Sequence, residues 1–155
     1  MQNLNVASFD EIREEFMRRI SQMVWCNVAS VDTQGRPRSR ILHPLWEDTV
    51  GWIATRRNSF KSKHLEHNPY VSLAYVADVA KPVYVDCRVK WDDTMATKEH
   101  VWNLCLTTPP PLGYDPAPIF GSVQDANFGI LKLMPWRIEV ANFPVNRQIW
   151  HITKE

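Results

Sequence analysis

Cysteine is scarce here, and what little there is excludes two kinds of architecture. Cys26, Cys87 and Cys105 are an odd number with no CxxC spacing, which argues against a disulfide framework and against a structural zinc site. Buried free thiols are the expectation. No apolar run approaches the roughly 20 residues that a membrane span requires, so no membrane contact is expected. Met1 to Asp10 lacks the cationic start and apolar stretch of a signal peptide, which makes the cytoplasm the expected location. GxSxG, GxGxxG and phosphate-loop signatures are missing too, and with them the common hydrolase, dinucleotide-fold and NTPase chemistries. There are no internal repeats.

What is present fits one domain over residues 1–155, with 45% hydrophobic and 23% charged residues, ordinary values for a globular chain long enough to bury a real core. Net charge is only +1, but it is unevenly spread. From Arg36 to Lys63 the balance is +5, and the remainder sums to −4. A local basic cluster on an otherwise acidic chain points to a bound anion more than to a nucleic-acid surface.

Ser8 to Glu11 reads as a capping box, followed by Ile12, Phe16, Ile20 and Met23 at helical spacing. Val24 to Val31, a turn at Asp32 to Gly35, and Arg38 to Leu45 read as a hairpin. Val50 to Thr55 is a third strand, and Asn58 or Ser59 can cap a short helix that stops before Pro69. Tyr70 to Val76 and Val83 to Trp91 read as strands. Asp92 or Asp93 can cap a helix to about Leu106, with Met95, Trp102 and Cys105 on its buried side. Pro109 to Pro118 cannot be regular and is long enough to be a lid or contact loop. Ile130 to Met134 and Trp136 to Asn142 read as a strand pair broken at Pro135, with a short edge segment at Gln148 to Ile152. Many short strands with few helices indicate a mainly antiparallel barrel.

Chemistry concentrates at Gly35 to Ile41 on a strand and at Thr55 to Lys61 running into a helix. A phosphate dianion needs cations and N–H donors, and a helix start offers both free N–H groups and a favourable dipole. Ser59 and Lys61 sit at such a start, and Arg40 could meet the same anion with a bidentate guanidinium. Taken alone, such cations usually face water. His64 and His67, at i,i+3 spacing with no third ligand, are better read as a solvated helix face than as a metal site. Most of the seven tryptophans are expected in the core.

Gly35-x-Pro37-x-x-Arg40, Thr55, Ser59-x-Lys61 and Leu65-Glu66-His67-Asn68-Pro69-x-Val71-Ser72-Leu73, in that order, resemble the FMN-binding half of the pyridoxamine 5'-phosphate oxidase family. The resemblance covers about residues 24 to 76. It implies a mainly β fold, a six-stranded antiparallel split barrel (the FMN-binding split barrel) with peripheral α-helices, working as a homodimer with flavin sites at the subunit interface. It also implies that Arg40 and Lys61 contact the FMN phosphate, with Thr55 and Ser59 in the same pocket. Backbone of Arg38, Ser39, Arg40 and Ile41 and of Ile53, Ala54 and Thr55 is the expected source of ring-edge contacts. Phe60 stands where the family has a second arginine, so Arg56 or Arg57 is the expected substitute, and Trp136 is expected to reach the flavin of the second subunit. The family's C-terminal grip on pyridoxal phosphate is not evident around Trp136-Arg137 or His151. The implied function is an FMN-dependent oxidoreductase acting on a small molecule, with chemistry that belongs to the cofactor. The alternatives are a deazaflavin-dependent reductase and a non-enzymatic flavin- or haem-binding stress protein.

Overall fold

The computed structural model describes residues 1–152. Nine strands form one connected sheet: β1 (Gln2–Asn5), β2 (Cys26–Val31), β3 (Pro37–Leu42), β4 (Leu45–Glu47), β5 (Val50–Arg56), β6 (Tyr70–Tyr75), β7 (Val83–Trp91), β8 (Phe128–Asn142) and β9 (Asn146–His151). Four α-helices accompany them: α1 (Arg13–Ile20), α2 (Phe60–His67), α3 (Met95–Thr107) and α4 (Ala117–Phe120).

The strand order is β1-β9-β8-β7-β6-β2-β3, with β5 joined to β8 and β4 to β5. All pairs are antiparallel except β1 with β9. Six antiparallel strands were expected; nine are found in a mixed sheet whose pairing does not close into a ring. The extra strands are short and sit at the periphery. Gln2–Asn5 lies parallel to β9 and Leu45–Glu47 folds back on β5, and each covers backbone groups that an open edge would expose.

The 15-residue β8 organises the rest. Its first half pairs with β5 and its second half with β9, while β7 runs beside both. The expected break at Pro135 is absent. Pro135 lies opposite Cys87, where the β7–β8 register shifts, so a bulge absorbs the missing N–H and the strand continues.

Alternation in β2, β6, β7 and β8 turns Val28, Leu73, Val85 and Ile138 inward onto Phe16 and Ile20 of α1. A second cluster joins Trp52, Phe128 and Ile130 to Val101 and Cys105 of α3. The Ser8–Glu11 capping box forms. Arg19, buried on α1, binds Glu15 at 2.6 Å, Asn142 Oδ1 at 2.6 Å and the carbonyls of Lys81 and Ala141, which staples α1 to the end of β8. All three cysteines are buried free thiols. On α3, Val101 and Cys105 face inward as the apolar pattern demands, but Met95 is exposed and Thr94, not Asp92 or Asp93, is the cap. Asp92 instead accepts from the Thr94 and Thr97 hydroxyls. No helix among the described residues is long and apolar enough to cross a membrane.

Candidate functional site

The +5 cluster separates into compensated and uncompensated cations. Asp32, buried in the β2–β3 turn, accepts from Arg36 Nε at 2.9 Å and Arg38 Nε at 3.4 Å. Backbone N–H groups of Arg36 and Gln34 complete its shell and hold the carboxyl well below the usual carboxylate range. Arg57 is likewise engaged, by Glu66 at 2.9 Å, Asp93 at 3.1 Å and the Trp91 ring, whose centroid lies 4.5 Å from its guanidinium. Arg57 is therefore occupied by structural partners.

Arg40 and Lys61 are different. Arg40, partly buried on β3, has only the Ser30 hydroxyl, 3.2 Å from its Nη1. Lys61, in the first turn of α2, donates to Thr55 Oγ1 on β5. Burial, and then the neighbouring Arg40 charge, push the Lys61 ammonium below its ordinary value. Burial followed by Arg38 does the same to Arg40. Among the described residues neither cation has a carboxylate partner. Two partly desolvated cations that repel one another are stable only if an anion joins them or if the fold tolerates the cost.

Ser59 caps α2 in an extended conformation, yet its side chain makes no capping bond, and Oγ is buried without a partner. That is an orphaned hydroxyl next to the free N–H groups of a helix start. Its surroundings match what a phosphate requires: two cations, an unpaired hydroxyl and a favourable helix dipole.

Beside this anion position lies a cleft of about 610 Å³, lined by Leu42, Ala54, Thr55, Arg56 and residues of the 111–120 segment. Its volume falls in the range of small-molecule sites. Of the expected residues, the structure brings Arg40, Thr55, Ser59 and Lys61 to one locus and puts Ala54, Thr55 and Arg56 on the cleft wall. Ile53 is buried in the main core. Arg38 is held by Asp32, and Ser39 bonds to Asn27. Ile41 is exposed, as is Phe60, which is 80% accessible. Trp136 lies apart, in a groove with Tyr70 and Asp86. Sequence reasoning missed Trp25, His43 and Tyr114, which line the same cleft; they stand far apart in the chain, and only the expected lid role of the Pro109–Pro118 loop hinted at one of them.

The sheet, its long shared strand and the helix start beside β5 define a protein of the split-barrel class. Residues 12–104 match the family model for pyridoxamine 5'-phosphate oxidase, and the chain belongs to that family. The pyridoxine/pyridoxamine 5'-phosphate oxidase of Haemophilus influenzae is 32% identical over 72 residues, a match that spans 45% of this chain and 34% of that enzyme. Among solved structures, a Clostridium acetobutylicum protein related to general stress protein 26 superposes with a TM-score of 0.73 at 14% identity, covering 92% of this chain and 96% of that one. A pyridoxamine 5'-phosphate oxidase-related, FMN-binding protein from Nostoc punctiforme gives 0.67 at 17% identity, covering 96% and 93%.

Proposed function

We propose that the chain is an FMN-dependent oxidoreductase in which Arg40, Lys61, Ser59 and the first turn of α2 hold the cofactor phosphate. The observation that carries the reading is the pair of carboxylate-free cations at a helix start whose capping hydroxyl has no partner. Membership in the pyridoxamine 5'-phosphate oxidase family supports the choice of FMN, as does the described FMN binding of the Nostoc relative. A bound flavin would supply hydride or electron transfer. The residues of this chain would bind and orient it: Arg40 and Lys61 would hold the phosphate, Ala54–Arg56 would offer backbone groups on the cleft wall, and the apolar lining would keep water away.

Ile41, Tyr70, Tyr84 and Trp136 leave apolar area exposed, which supports a homodimer in which Trp136 meets the partner's flavin. The absorbance spectrum of freshly purified protein, with mass spectrometry of what it releases on denaturation, tests the cofactor. Bound FMN, or its tight uptake on titration, is expected. A colourless protein that takes up neither FMN nor a deazaflavin would end this reading. Reduction by NADH or NADPH then separates an enzyme from a flavin carrier.

A further inference from the structure

Besides the Arg40–Lys61 pair, the cleft carries a cation of its own, and the pleat of β5 separates the two. Successive side chains of a strand point to opposite faces. Ile53 sits in the main core and Thr55 offers its hydroxyl to Lys61, so one face of β5 looks toward the anion position. Trp52 and Ala54 belong to the other face, in the cluster that joins β5 and β8 to α3 and α4. Arg56 follows them by the same alternation. The ladder agrees: Arg56 stands opposite Phe128, as Ala54 does opposite Ile130, and the Phe128 ring lies 5.0 Å from that of Phe120 on α4. The sheet thus puts Arg56 on the cleft side of the strand, turned away from Lys61.

Its setting there is unlike that of the next residue. Arg57 is held by Glu66 and Asp93, whereas Arg56 is exposed and enters no ion pair or side-chain hydrogen bond among the described residues. It is the one formally charged residue on the cleft lining, which bears no carboxylate. Around it, Val24, Trp25, Pro111, Ile119 and Phe120 supply apolar surface. Trp25 is 58% and Ile119 54% accessible, so that surface is open to a ligand and not spent on the core. An apolar wall ending in a free guanidinium selects by two features at once. The guest gains by covering the wall with an apolar body, and by ending in a planar anion that matches the guanidinium fork.

We propose that Arg56 is the substrate-selecting residue of this cleft, which takes an apolar carboxylate whose body lies along Trp25, Ile119 and Phe120 and whose anion pairs with Arg56. The inference rests on the flavin reading for where the reacting ring lies, but its recognition chemistry is independent of the cofactor. The test is calorimetric titration of the whole chain, with and without FMN and at constant ionic strength, with 2-naphthoate and 2-naphthamide, which share a shape and differ in charge. The wild type should bind 2-naphthoate about tenfold more tightly, as one charge-assisted pair provides. Acetate, which has the charge and no apolar body, should bind at least about a hundredfold more weakly than 2-naphthoate. Arg56→Gln should abolish the preference for the anion. Arg56→Lys, which keeps the charge without the fork, should retain only part of it, and it decides the matter if the glutamine variant does not fold. Millimolar inorganic phosphate, drawn to Arg40 and Lys61, should leave 2-naphthoate binding within about threefold. Equal binding of the two naphthyl probes by the wild type, binding of neither, a preference that neither variant lowers, or displacement of 2-naphthoate by phosphate would overturn the proposal. Discrimination in a chain that takes up no FMN would sink the flavin reading and leave this one standing, and FMN uptake without discrimination would do the reverse.

Discussion

Replacing Lys61 by methionine separates anion binding from folding. Lys61 has one hydrogen bond, to Thr55 Oγ1, and faces Arg40 without a carboxylate to offset either charge. Its remaining N–H groups are free for a ligand oxygen. A hydrogen bond between an ammonium and a phosphate contributes about 1.5–3 kcal/mol, and 1.4 kcal/mol is tenfold in affinity. Lys61→Met should therefore weaken FMN binding by about 10- to 100-fold. Riboflavin has the same ring and no phosphate, so its affinity should change by less than about threefold. In the ligand-free chain, relief of the Arg40–Lys61 repulsion offsets the lost Thr55 bond, and stability should stay within about 1 kcal/mol of wild type. Millimolar inorganic phosphate should raise the wild-type Tm by mass action and do less for the variant. Flavin fluorescence quenching and thermal melts measure all four quantities. Equal losses for FMN and riboflavin would refute the assignment of Lys61 to the phosphate. So would a ligand-free variant weaker by about 3 kcal/mol or more, which would make Lys61 a structural residue.

Other perturbations reach different parts of the molecule. Hydrogen bonds from Arg18 and Arg19 outweigh burial and hold the Glu15 carboxyl down at about 2. Since its folded value lies below the unfolded one, its stabilisation is present above the ordinary carboxylate range and fades as pH falls toward 2; Glu15→Gln should flatten that limb of a urea-stability profile. At Gly113 an added Cβ would sit 1.6 Å from the Thr108 carbonyl oxygen. Gly113→Ala should thus displace the turn that holds Tyr114 and cost about 2–4 kcal/mol by denaturant titration. Burial pushes the Cys26 thiol up to about 12 and raises those of Cys87 and Cys105. A thiol reagent should label the native chain only as fast as it opens, and rapid labelling of any one would contradict the packing.

How much could be read ahead depended on how local the cause was. The Ser8–Glu11 box and the Val83–Trp91 strand each follow from a few adjacent residues and stand where the pattern puts them, and of the two expected caps of α2, Asn58 and Ser59, the structure takes Ser59. The grouping of Arg40, Thr55, Ser59 and Lys61 was visible through family resemblance, since nothing in their spacing alone brings a strand and a helix start together. Arg57 could not be sorted from the free cations because one of its partners, Asp93, lies 36 residues away. Pro135 suggested a break because the bulge next to it, at Trp136, is visible only in the register of β8 against β7. Trp25, His43 and Tyr114 come from three separate connections, where no periodicity marks the side that faces a cleft.

The long β8 also sets an order of events. Both β5 and β7 need it as a neighbour, and it is made only after residue 127 has been added. Until then the cleft wall built on Ala54–Arg56 has an unpaired margin open to any other extended segment. A nascent chain of this protein must wait, with its cleft half framed, for the strand that completes both sides.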